Sequence, residues 1–201
     1  MNVSDWLKGF AMKQVYHYLD KDPDTNIPKA LDYLESHDKG GGISSQVDTI
    51  RKAIADPNNN WSRLVKSLWT DIDAAQRKAL VETAVVNGSM IGTPMSEKMQ
   101  EKYQCNIPWA ILMDPTSACN LHCTGCWAAE YGNKLNLSFE ELDGIIRQGK
   151  ELGTYIYIYS GGEPLVRKDD LIRLCEKHKD CAFLAFTNGT LIDDAFADEM
   201  L

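Results

Sequence analysis

Three β-prone runs separated by two amphipathic stretches of helical period fill the second half of this chain, and no other feature limits its fold as much. The runs are WAILM at 109–113, TYIYIYS at 154–160 and AFLAFT at 182–187, dense in aromatic and branched residues. Between the first two, Ser138-Phe139-Glu140-Glu141 has the form of a capping box. Leu142, Ile145, Ile146 and Leu152 then continue one apolar face, and Gly153 stands where a C-terminal cap residue belongs. Asp169 to Lys179 reads as a second helix with Leu171, Ile172, Leu174 and Cys175 inward, and a third helix begins near Ile192. Strands alternating with helices over connections of this length demand parallel βαβ units, with any site at the carboxyl ends of the strands.

The first hundred residues follow another pattern. Apolar residues recur at helical spacing in Leu7, Phe10, Ala11, Val15, Tyr18 and Leu19, and again in Ile43, Val47, Ile50 and Ile54. A third stripe comprises Trp61, Leu64, Val65, Leu68, Trp69 and Ile72. These stripes are read as core faces. Asp-Pro at 22 and at 56, the run Gly40-Gly41-Gly42 and Asn87-Gly88 are read as breaks, giving four or five short helices. His17 and His37 each lack a second ligand at i+3 or i+4, so they are read as surface residues.

Charge divides the chain at the same place. Of 21 basic and 29 acidic residues, giving a net charge of −8, residues 1–103 hold 13 and 14, and residues 104–201 hold 8 and 15. All six cysteines lie in the second part. The expected organisation is a helical domain over 1–103 followed by an α/β domain over 104–201. An acidic chain offers no basic field for a phosphate backbone, so nucleic acid is not expected as a partner. No apolar run approaches the roughly 20 residues that span a bilayer, and MNVSDWLKGF has no secretion signal, so the expected location is cytoplasmic.

Cys119-Asn-Leu-His-Cys123-Thr-Gly-Cys126 follows the first β-prone run. In a chain read as cytosolic, clustered cysteines point to metal ligands or redox thiols rather than disulfides. The spacing C-x3-C-x2-C lets one loop present three thiolates to three irons, and thiolate is the ligand of iron-sulfur clusters. Two other readings remain open. One is a structural zinc site completed by His122 or Cys105; the other is a cluster used for electron transfer alone. Cys175 and Cys181 lie outside the loop and read as small apolar core residues.

With these motifs in place, the segment from Ile107 to Leu201 resembles the radical S-adenosylmethionine (SAM) superfamily. The hallmark of that family is a C-x3-C-x2-C loop after the first strand of a partial barrel. Its second hallmark, Gly-Gly-Glu-Pro at the end of the second strand, is matched by Gly161-Gly162-Glu163-Pro164 directly after YIYIYS. The resemblance implies the first half of a parallel (βα)6 partial barrel, of which 104–201 would supply three βα units. It implies that Cys119, Cys123 and Cys126 hold a 4Fe-4S cluster whose open iron chelates the methionine end of SAM, and that SAM is cleaved reductively to a 5′-deoxyadenosyl radical. Gly161, Gly162, Glu163 and Pro164 are implied as cofactor contacts, and Asn188 of Thr187-Asn188-Gly189 matches a recurrent position near the cofactor. No side chain is singled out as catalytic, because the cofactors carry the chemistry.

A one-electron donor such as flavodoxin or ferredoxin is the implied protein partner, beside a substrate that these motifs leave unnamed. Many family members carry an aromatic residue before the third cysteine, near the adenine; here Gly125 stands there and Trp127 follows the cysteine. The alternative from another class is an iron-sulfur binding or electron-transfer module that never cleaves SAM. Because Ala195 to Leu201 runs out without a cap, Gly or Pro, the chain is expected to be part of a longer polypeptide.

Overall fold

In the computed structural model, which describes residues 14–37 and 44–200, strands β1 (Ala110–Met113), β2 (Ile156–Tyr159) and β3 (Ala182–Ala185) form a parallel sheet in the order β1-β2-β3. Residues pair in register as Ile111, Tyr157 and Phe183, and as Leu112, Ile158 and Leu184. The period of two therefore gives the sheet two unlike faces. On one, Met113, Tyr157 and Tyr159 are buried with Leu142, Ile146 and Leu174 of the flanking helices. Phe183 stacks beside both tyrosines, with ring centroids 5.9 and 5.8 Å away. On the other, Leu112 is 56% and Leu184 is 53% exposed.

The helices of this unit form where their caps place them. Helix α7 (Phe139–Leu152) opens on a complete capping box: Ser138 Oγ accepts from the Glu141 amide, and the Glu141 carboxylate accepts from the Ser138 amide. It closes on Gly153 at φ 98°, where a Cβ would stand 2.6 Å from the Gly92 carbonyl oxygen. Strand β2 starts only at Ile156 because the Thr154 amide still donates to Gly149 of that helix end, while its hydroxyl donates to the Pro108 carbonyl. Helices α8 (Lys168–Lys177) and α9 (Asp194–Met200) follow β2 and β3. Asp143 and His178 tie α7 to the end of α8 at 2.9 Å.

Asn87-Gly88 does not break the chain. It lies inside a π-helical segment, Val81–Ile91, that leads into α6 (Gly92–Tyr103). A Cβ at Gly88 would lie 3.2 Å from the side chain of Ile156, and Asn87 Nδ2 donates to the Asp180 carbonyl. The small residue serves a close approach across the amino ends of β2 and β3, which a turn there would forfeit. The chain divides into two units, Met1–Ala79 and Leu80–Leu201. The structural division precedes the compositional one at Tyr103 because Val81–Ile91 packs with β2 and β3, and α6 with α7.

The first unit is helical: α1, described over residues 14–21, then α2 (Pro23–His37), α3 (Ser44–Ala55), α4 (Asn60–Thr70) and α5, which begins at Ala74. Breaks occur at both Asp-Pro pairs. Leu7, Phe10, Ala11, Ile43 and the Gly40–Gly42 run lie outside the described residues. The stripe on α4 is only in part a core face, since Trp61 is 69% and Leu64 55% exposed. Trp69, at the other end, is held by polar contacts. Its Nε1 donates to Asp20, and the Arg77 guanidinium lies over its ring at 5.7 Å. Buried Arg77 pairs with Asp20 and donates to the Leu68 and Ile72 carbonyls. Burial alone would raise the Asp20 carboxyl, but the Arg77 hydrogen bond and charge hold it below the ordinary carboxylate range. His17 is exposed.

Candidate functional site

The cysteine loop leaves the carboxyl end of β1 and is closed at its base. Thr116 and Asn136 form an isolated antiparallel bridge. The buried Thr116 hydroxyl donates to Asn136 Oδ1 at 2.6 Å and accepts from the Ala118 amide. Arg167 fastens both strands of this stem by donating to the Pro115 and Leu137 carbonyls. Neither Thr116 nor Arg167 was singled out in the sequence, because a lone Thr and a lone Arg carry no spacing signal.

The second motif meets the loop from the end of β2. The Gly162 amide donates to the Thr116 carbonyl and the Glu163 amide to that of Ala118. A Cβ on Gly162 would strike the Ser117 and Ala118 carbonyls, and one on Gly161 would strike that of Thr116. The two glycines thus let β2 lie against the stretch that delivers Cys119. Glu163 is 1% exposed and its carboxylate is engaged within the protein. Oε1 accepts from the Leu165 amide and the Thr187 hydroxyl, and Oε2 from the Asn188 amide. Pro164 is buried and opens the 3-10 turn Pro164–Arg167. One buried carboxylate therefore sets the end of β2 against the end of β3.

Cys119, Cys123, Cys126 and Gly162 line one cavity of about 250 Å³, together with Ser117 and His122. Cys123 and Cys126 are exposed and Cys119 is partly so. A larger cavity of about 740 Å³ adjoins it, with Ser117, Ala128 and Gly162 lining both. Trp127 and Tyr131 meet edge to face at 5.7 Å and line the larger cavity with Gly161. Trp127 therefore lines the larger cavity and not the one around the three thiols. Asn188 is exposed and donates to Asn120 within the cysteine loop.

Among the described residues, no three His, Cys, Asp or Glu side chains gather closely enough for a single metal ion. Three thiols around one cavity fit a polynuclear group in which each iron takes one thiolate. Burial pushes the Cys175 thiol up to about 11 and, with Asp180 adding to it, Cys181 up to about 12, so neither offers a ready thiolate. Cys105 is exposed and does not line the cysteine cavity. No helix among the described residues is long and apolar enough to cross a membrane.

Residues 113–201 match the family model described as the Radical SAM superfamily. The chain is 34% identical over 95 residues to Fe-coproporphyrin III synthase of Methanosarcina barkeri, covering 45% of this chain and 23% of that protein. It is 35% identical over 83 residues to a probable GTP 3',8-cyclase of Methanothermobacter marburgensis, covering 39% and 27%. The chain thus spans about a quarter of the length of these relatives. No solved structure matches it. Residues 113–201, whose strand ends carry the cysteine loop and the Gly-Gly-Glu-Pro turn, are the segment that matches the radical SAM superfamily.

Proposed function

We propose that this chain supplies the cluster-binding and SAM-binding part of a radical enzyme, with Cys119, Cys123 and Cys126 as the ligands of a 4Fe-4S cluster. The observation that carries the reading is the common cavity of the three thiols with Gly162 at the carboxyl ends of parallel strands. When bound, the cluster supplies one electron to the sulfonium of SAM, which parts into methionine and a 5′-deoxyadenosyl radical. The protein's own residues hold and orient. Gly161 and Gly162 present backbone to the cofactor, Asn188 offers an amide side chain beside the loop, and Glu163 with Pro164 holds that turn from beneath. A one-electron donor such as flavodoxin or ferredoxin supplies the electron.

By their names, one of the two relatives makes Fe-coproporphyrin III and the other is a probable cyclase of GTP. What they have in common with this chain therefore serves the cofactor, and the substrate is selected elsewhere.

Anaerobic reconstitution tests the proposal. Four irons and four sulfides per chain are expected, with loss of that iron when all three cysteines become alanine. SAM added to the reduced protein is expected to yield 5′-deoxyadenosine. Stoichiometric zinc, or iron unaffected by the triple substitution, overturns the ligand assignment. A reducible cluster that neither binds nor cleaves SAM leaves the electron-transfer alternative standing.

A further inference from the structure

The cysteine loop is tied to the end of β3 by a closed set of hydrogen bonds that joins both sequence motifs. Asn120, the residue after the first cysteine, donates through Nδ2 to the Thr190 hydroxyl at 2.7 Å and accepts at Oδ1 from Asn188 Nδ2 at 2.9 Å. Asn188 Oδ1 in turn accepts from the Thr190 hydroxyl and amide. The Asn188 amide is anchored on buried Glu163, whose own amide is bonded to Ala118 beside Cys119. The ring therefore runs from the cysteine loop to β3, through Glu163 to β2, and back to the loop.

We infer that Asn120 is a positioning residue. Through Asn188 and Thr190 it sets where the cysteine loop stands relative to the Gly161-Gly162 turn, and so how cofactor held by one meets the other. The amide side chain suits this role because it donates and accepts at once; a leucine, serine or carboxylate there would keep at most part of the ring. Both ends of the ring are exposed, so water competes for each bond and the effect is graded. The inference rests on the proposed cofactor reading for its spectroscopic arm, and on the hydrogen bonds alone for its exchange arm.

The full chain is compared with Asn120→Ala, Thr190→Val and their combination. After anaerobic reconstitution, iron content is expected to remain at the wild-type level, because all three cysteines are kept. The change that SAM produces in the electron paramagnetic resonance spectrum of the reduced cluster is expected to diminish, and SAM affinity to fall roughly three- to tenfold. The double variant is expected to lose no more than the stronger single one. Amide hydrogen exchange at Asn188 and Thr190 should quicken in Asn120→Ala without any cofactor present. A wild-type protein that takes up no cluster removes the cofactor reading and leaves the exchange result to decide the ring. Wild-type exchange in Asn120→Ala, or an unchanged SAM-dependent spectrum in a cluster-loaded variant, overturns the role of Asn120.

Discussion

The two units of this chain solve the problem of burial with different materials. In the described part of Met1–Ala79 the buried hydrophobic residues are Leu31 and Val47, while Arg77 sits buried with its charge on Asp20 and further hydrogen bonds to two backbone carbonyls. In Leu80–Leu201 the sheet face and helices α7 and α8 bury one continuous apolar cluster. Apolar burial is non-directional and tolerates exchange of similar shapes, whereas a buried charge holds only while its partners stay in place. The unit carrying the cysteine loop and the Gly-Gly-Glu-Pro turn therefore has the more forgiving interior, and the helical unit the more conditional one.

The largest test sets Leu142→Ala against Arg77→Ala, read by hydrogen exchange resolved along the chain. Removing the fully buried Leu142 should lower protection of α7, β2 and α8 by about 2–5 kcal/mol. Removing Arg77 should cost the helical unit about 3–5 kcal/mol. Replacing Asp20 and Arg77 together by apolar residues should not restore the loss, since the Leu68 and Ile72 carbonyls would still lack their donor. Full recovery in that double variant would show that the charge pair is only a substitute for apolar packing.

A smaller effect depends on pH. Burial works to raise the Asp143 carboxyl, yet hydrogen bonds from Lys177, His178 and Arg147 bring it from 3.8 down to about 2. A carboxyl depressed in the folded state adds stability above its unfolded value and loses it as pH falls through the folded one. The α/β unit should therefore weaken as pH drops from 3.8 toward about 2. Asp143→Asn should flatten that part of an acid titration followed by circular dichroism, and an unaltered slope would locate the acid sensitivity elsewhere.

The smallest effect separates two tyrosines on one strand. The Tyr157 hydroxyl lies 2.9 Å from both the Ile146 and the Thr154 carbonyls, whereas the buried Tyr159 hydroxyl has no partner among the described residues. Tyr157→Phe should cost about 1 kcal/mol in denaturant unfolding, while Tyr159→Phe should be neutral or stabilising by a similar amount. Equal losses at both positions would mean that Tyr159 has a partner as well.

What the sequence disclosed follows the range of the forces involved. The capping box at Ser138, the Gly153 cap and all three strands are local, so their residues announced them before any contact was known. The same holds for the cysteine spacing and for Gly-Gly-Glu-Pro. Asn87-Gly88 misled because its turn chemistry is overruled by packing against Ile156 and Asp180, which are distant in sequence. The exposure of Trp61 and Leu64 was hidden for the same reason: a periodic stripe shows that a face is apolar, not how far a neighbour extends along it. Glu163 was legible as a residue of the second motif, but its burial against Thr187 and Asn188 depends on where β3 ends.

The π-helical segment beneath the strands has a consequence for the order in which this unit takes shape. The Asn87–Asp180 hydrogen bond joins residues 93 positions apart. Closing so long a loop is entropically expensive and slow, whereas α7 carries both of its caps within itself. We expect α7 to be present early in folding and the segment Val81–Ile91 to dock last, after β3 has been laid down. φ-values near zero for Asn87→Ala and well above it for Ser138→Ala would show this sequence of events, and the reverse would contradict it. On that order, a nascent chain emerging from the ribosome carries an unsettled floor until β3 has been synthesised, which makes the stretch before the first strand the part that waits longest for its partner.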